Sequence, residues 1–123
     1  MRDLPTAGLR KEVLKMEIVK KENANGGKGP MYIKHILTGD ELNSKVRMFA
    51  EVTIPAGSVL GYHEHHGESE TYYITAGEGE YNDNGTVRTV KKGDYTFTPS
   101  GSGHGIANNG TEDLVFIALI QLD

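Results

Sequence analysis

At 123 residues, with a formal charge of −4 and no cysteine, the chain reads as one domain with a modest core. The acidic balance offers no footprint for nucleic acid, and no apolar run is long enough to cross a bilayer. Without cysteine, disulfides and thiolate metal sites are excluded, so any metal must be held by nitrogen and oxygen.

Apolar residues make up only 37% of the chain. A homodimer that buries a further apolar face is therefore expected. The opening stretch MRDLPTAGLRKEVLKMEIVKK lacks the apolar core of a secretory signal, which makes the cytoplasm the expected compartment.

Residues 9–21 carry two patterns at once. Leu9, Val13 and Met16 suit a helical face, while Leu14, Met16 and Ile18 alternate as in a strand. The reading is an irregular arm with one strand. NANGGKGP, 23–30, reads as a flexible loop and lacks the GK[ST] ending of a phosphate-binding loop. The division expected is an arm and glycine-rich loop over 1–30, then a β-barrel domain over 31–123.

MYIKHILT, 31–38, is the first strand of that domain. KVRMFAEVTI, 45–54, alternates cleanly, with Val46, Met48, Ala50, Val52 and Ile54 on one side and Arg47, Phe49, Glu51 and Thr53 on the other. After Pro55 a short strand carries Tyr62 to His65. ETYYITAG, 70–77, is rich in β-branched and aromatic residues. Asn84-Gly85 is a tight-turn pair and predicts a hairpin over 78–90. YTFTP and HGIAN follow, and LVFIALIQL is the most apolar segment and the expected central strand. With 16 glycines against 4 prolines, the chain predicts nine or ten short strands, little helix, and a sandwich or barrel.

Three of the five histidines fall within GYHEHHGESE, 61–70. His63 and His65 are two apart, so a strand places both on one face. His66 then lies on the other face or in the turn. Glu70 opens the next strand, and a hairpin would fold it back beside the pair. His104, the one downstream histidine, would complete a set of three nitrogens and one oxygen. Such a set suits Mn, Fe, Co, Ni or Zn. Glu64, Glu68 and Glu78 read as solvated carboxylates, and His35 has no matching partner.

Spacing sharpens the pattern. Gly57, His63, His65, Glu70 and Gly77 form one block, and Gly93, Pro99, Gly101, His104 and Asn108 a second, with fifteen residues between them. Together they resemble the two conserved motifs of the cupin superfamily. The likeness is tight over 57–108 and looser over 45–120. One departure is PAG at 55–57, where many cupins have Pro directly before Gly.

The resemblance implies an all-β jelly roll, the double-stranded β-helix. It also implies one divalent metal ion held in the barrel mouth by His63, His65, Glu70 and His104. Asn108 is read as a backbone-bonding turn residue. Tyr72 shares the Glu70 face and reads either as a core tyrosine or as a pocket donor. Tyr62, Tyr95 and Phe97 are expected to pack. An inward Arg47 could pair with a substrate carboxylate, but its apolar neighbours lie on the opposite face, so Arg47 is expected to face solvent or a subunit interface.

Because this fold hosts unrelated chemistries, function is left at three classes. The first is a metal-dependent enzyme, dioxygenase or decarboxylase-like, acting on a small oxygenated organic acid. The second is a sugar or sugar-acid isomerase or lyase, with Tyr72 or His66 as acid–base residue. The third is a non-catalytic module that binds a small molecule or anion. An oxalate-type decarboxylase needs a proton donor on a lid, and Glu68 is the residue near enough in sequence to test.

Overall fold

A computed structural model describes residues 17–123. Ten strands run in chain order: β1 (Ile18–Glu22), β2 (Pro30–Leu37), β3 (Val46–Ile54), β4 (Val59–Glu64), β5 (Glu68–Ala76), β6 (Glu78–Asp83), β7 (Thr86–Lys91), β8 (Tyr95–Thr98), β9 (Gly103–Ala107) and β10 (Leu114–Leu122). They form a six-stranded sheet in the order β1-β2-β3-β10-β5-β8 and a four-stranded sheet in the order β4-β9-β6-β7. Two facing antiparallel sheets that exchange strands in this way are the double-stranded β-helix expected from the sequence.

Local signals place the strands. Asn84 and Gly85 both take positive φ, at 50° and 101°, which closes the β6–β7 hairpin with the twist that flanking strands require. The apolar strand β10 does lie centrally, paired with β3 on one side and β5 on the other. Its inward residues Leu114, Phe116 and Ala118 meet Ala50, Val52 and Ile54 of β3, and all are buried. Along β5 the inward residues run Ile74, Tyr72, Glu70, Glu68, and all four are buried. The core is thus apolar at one end of this strand and ionisable at the other.

The segment expected to be a flexible loop is instead built into the barrel. β1 pairs antiparallel with β2 and extends the larger sheet. A 3-10 turn at Ala24–Gly26 then brings Lys28 into a bridge with Val59. Gly27 and Gly61 make this approach possible: an added Cβ would fall 1.9 Å from the Val59 carbonyl oxygen at Gly27, and 2.1 Å from that of Asn25 at Gly61. Missing side chains, rather than flexibility, explain the glycines there. The helical alternative for residues 9–16 lies outside the described residues. Among the described residues no helix is long and apolar enough to cross a membrane.

Candidate metal centre

The β4–β9 register sets His63 directly opposite His104, so two imidazoles project side by side from neighbouring strands. His65 follows just past the end of β4. Its backbone is clasped by the loop before β9: the His65 N–H donates to Ser102 O at 3.0 Å, and the Gly101 N–H donates to His65 O at 2.7 Å. Gly101 takes φ 90° to do so, a conformation that favours glycine. Glu70 comes from the opposite sheet, on β5. The three ring centroids stand 4.7–5.0 Å apart.

Donor atoms converge within this triangle. His65 Nε2 lies 3.0 Å from His104 Nε2 and 3.0 Å from Glu70 Oε1, and His104 Nε2 lies 2.9 Å from the same oxygen. With His63 included, the four donor atoms lie within 4.8 Å of one another. Donors about 2.1 Å from one ion stand about 3.0 Å apart at right angles, and about 3.4 Å apart at tetrahedral corners. The three measured edges match the right-angled arrangement, so the cluster can hold a divalent ion with positions left open.

The far side of each ring is also held. His63 Nδ1–H donates to Gly61 O at 2.8 Å, and His65 Nδ1–H donates to Glu68 Oε2 at 2.6 Å. His104 Nδ1 lies 2.9 Å from both the Tyr81 hydroxyl and Thr98 Oγ1. These partners place the Nδ1–H of His63 and His65 outward and turn their Nε2 atoms to the centre, where His65 Nε2–H donates to Glu70 and a bound metal would replace that proton.

Charge follows from the same contacts. Burial pushes the Glu70 carboxyl up, but hydrogen bonds from His104 and His65 outweigh it and hold Glu70 below the ordinary carboxylate range. Glu68 behaves alike: burial raises it, while bonds from His65 and Arg47 bring it below its usual value. The hydrogen bond to Glu70 raises His65 despite desolvation. Burial lowers His63, more than its bond to Gly61 raises it. Burial, joined by the Glu70 charge, pushes the Tyr72 phenol well above its usual value, so it remains a neutral donor.

Four residues singled out from the motifs come together: His63, His65, Glu70 and His104. Tyr72 joins them, with its hydroxyl 3.4 Å from His104 Nε2 and its ring 4.1 Å from that of Phe116 between centroids. It is a core tyrosine and a pocket donor at once. His66 does not join. Its side chain is 70% exposed and bonded to Glu64, because the turn after β4 sends it to solvent, so no acid–base role is carried forward for it. His35 is half-buried on β2 and is not one of the converging donors. Asn108 is the expected turn residue, donating to Ile54 O and Glu112 O.

Two expectations change and a third gains a partner. Glu68 is only 8% exposed and bonds His65. Arg47 is exposed, as expected, and its guanidinium also closes two bonds on Glu68, Nε–Oε1 at 2.8 Å and Nη2–Oε2 at 2.9 Å. Tyr95 and Phe97, expected to pack, are exposed because their side chains point away from the barrel interior. Tyr62, though partly open to solvent, does pack, its ring lying over Gly103 and its hydroxyl donating to Asn84 Oδ1 at 3.3 Å. Tyr81 and Thr98 were not singled out from the sequence at all. Glu68 had a signal: it is two residues before Glu70, so strand alternation gives both one face. Thr98 had none short of the register, which places it across from Glu70.

A cavity of about 390 Å³ opens over the cluster, lined by His63, His65, Glu70 and Tyr72 together with apolar side chains and Arg47.

Known proteins fit this picture. The sequence model of the cupin domain family matches residues 50–120. An oxalate-binding protein of Thermotoga maritima is 46% identical over 100 residues, covering 81% of this chain and 83% of that protein. A crystal structure of a predicted oxalate decarboxylase from Thermotoga maritima superposes with a TM-score of 0.85 at 42% identity, covering 89% of this chain and 95% of that one. A putative sugar phosphate isomerase from Acidithiobacillus ferrooxidans gives a TM-score of 0.71 at 26% identity, covering 96% and 74%. With the matched segment spanning both histidine-bearing motifs and more than half of the sequence, the chain belongs to the cupin domain family.

Proposed function

We propose that this protein binds one divalent metal ion through His63, His65, Glu70 and His104, and uses it to recognise a small chelating organic acid of the oxalate class. The observation that carries the reading is the triangle of donor atoms with edges of 2.9–3.0 Å at the base of a cavity. The oxalate-binding relative supports the ligand class.

A bound ion would supply Lewis-acid charge to a pair of ligand oxygens. The chain's own groups do the rest. Glu70 supplies the one anionic donor. His63 and His65 present Nε2 because their Nδ1 atoms are tied to Gly61 and Glu68. Tyr72, kept protonated by burial, offers its hydroxyl as a donor to a carboxylate oxygen. Apolar side chains in the cavity wall lower the local dielectric and strengthen each of these contacts.

Glu68 and Glu70 are both held as carboxylates, so neither is a proton donor at neutral pH. This favours recognition over an oxalate-type decarboxylation through Glu68. Turnover of the dioxygenase or decarboxylase kind is the second reading, favoured by the Tyr72 hydroxyl beside the cluster. The same reading includes a homodimer. The outer face of the six-stranded sheet exposes Tyr73, Tyr95 and Phe97, which the β5–β8 register places together.

Metal analysis of protein purified without chelators, followed by titration calorimetry with oxalate before and after metal removal, tests the proposal. Stoichiometric metal and metal-dependent binding are expected. Absence of metal uptake would defeat it. Product analysis for carbon dioxide and formate, with oxygen uptake, decides between recognition and turnover.

A further inference from the structure

Oxalate is small beside a cavity of about 390 Å³, and the cavity wall has an order to it. At the base stand the buried donors of the cluster. Met31, Ile33, Val52 and Phe116, all buried, supply an apolar middle. The exposed polar residues of the wall are Lys21, Arg47, Asn25 and Glu64, two cations, an amide and a carboxylate. An oxalate-sized acid seated on the cluster would fill a small part of that volume and leave most of the apolar wall uncovered.

Arg47 is placed there by structure rather than by chance. Its side chain is 59% exposed, yet Glu68 anchors Nε and Nη2 with a two-pronged pair. Glu68 in turn is fastened to His65. One carboxylate and one imidazole therefore connect the guanidinium to the cluster, and its position is tied to theirs. Glu68 uses two of the five guanidinium N–H donors, so three remain. A rigid planar fork with spare donors is suited to a carboxylate.

We propose that the ligand is longer than oxalate: an acid with a chelating oxygen pair at one end, an apolar body, and a second carboxylate at the other end that Arg47 recognises. Arg47 is then a specificity-determining residue, and Glu68 the residue that positions it. The inference rests on the reading of the cluster as a metal site, since the chelating head has no other seat.

Two probes of equal length separate the two ideas. 2-Hydroxyglutarate and 2-hydroxypentanoate share a chelating head and differ only in a terminal carboxylate against a methyl group. Calorimetry on the metal-saturated wild type should show the dicarboxylate binding about ten- to a hundredfold more tightly, the range expected of charge-assisted hydrogen bonds. In Arg47→Gln, with metal content verified, that ratio should collapse toward one, and Arg47→Lys should restore part of it. Equal affinities in the wild type overturn the inference without any variant, and so does a ratio that survives Arg47→Gln. Metal-dependent binding of both probes at equal strength sinks this inference alone. Binding that is indifferent to metal, or protein that takes up none, sinks the metal reading and this inference with it.

Discussion

The Glu68 carboxylate accepts a 2.6 Å hydrogen bond from Nδ1 of His65, across the turn between β4 and β5. Through that contact, a side chain whose other bonds go to Arg47 sets the orientation of one ring. Glu68→Gln keeps the shape, but the uncharged amide no longer presents two equivalent acceptors to His65 and Arg47. Metal affinity is expected to fall about ten- to a hundredfold while the fold persists. A competitive chelator titration measures this, and an unchanged affinity would remove Glu68 from the metal site.

Two of the proposed ligands should differ in what their loss does to the metal-free protein. His63 is half-buried, and its one outer bond goes to a backbone carbonyl. His104 is fully buried, and its Nδ1 meets Tyr81 and Thr98. His63→Ala and His104→Ala should both lose the metal. His104→Ala should also destabilise the metal-free barrel by about 1–3 kcal/mol through altered polar contacts and a cavity, whereas His63→Ala should cost less. Metal content by mass spectrometry and thermal melts in chelator make the comparison. Full metal content in both variants would contradict the ligand assignment.

The stabilisation that metal confers should grow with pH. In the metal-free protein, the Glu70 hydrogen bond raises His65. That contribution is complete below the unfolded imidazole value and is lost as pH rises through the raised folded value. Glu70 is held low, so its contribution is present above the ordinary carboxylate range and is lost as pH falls through its folded value. A metal competes with the His65 proton. Its increment in Tm should therefore rise as pH climbs through the imidazole range. Melting curves with and without metal at a series of pH values test this, and a flat increment would count against His65 as a ligand.

Gly61→Ala should damage both stability and metal binding. The new Cβ would fall 2.1 Å from the Asn25 carbonyl oxygen, so the 3-10 turn or β4 must move. A destabilisation of about 1–3 kcal/mol is expected for such overpacking. Movement of β4 would also displace the Gly61 carbonyl that orients His63. Chemical denaturation and a chelator titration on the same variant check both effects. A wild-type melt would show that the segment before β2 yields freely.

Light scattering should report a dimer at working concentration. Tyr73, Tyr95 and Phe97 are among the large apolar side chains most open to solvent, with Tyr95 69% exposed. A charged residue in that patch, as in Phe97→Lys, should shift the protein to monomer without changing metal content. A monomeric wild type would overturn the expectation.

Much of this protein was legible in its sequence. Alternation at 46–54, the Asn84-Gly85 turn and the apolar run of β10 specify strands through local sterics and burial, which neighbouring residues encode. The convergence of the four candidate donors was legible for a related reason, since two positions on one strand, a turn and a glycine-framed histidine form a short-range pattern. Tertiary structure alone decided the rest. His65 and His66 are adjacent in sequence, and only the path of the turn sends one to the cluster and the other to water. Arg47 read as a solvent residue because its own strand neighbours say so, while its partner Glu68 is twenty-one positions away. Tyr81 and Thr98 reach His104 from two different sheets. Contacts of that kind depend on strand register and on how the sheets face each other, and no local stretch of chain carries that information.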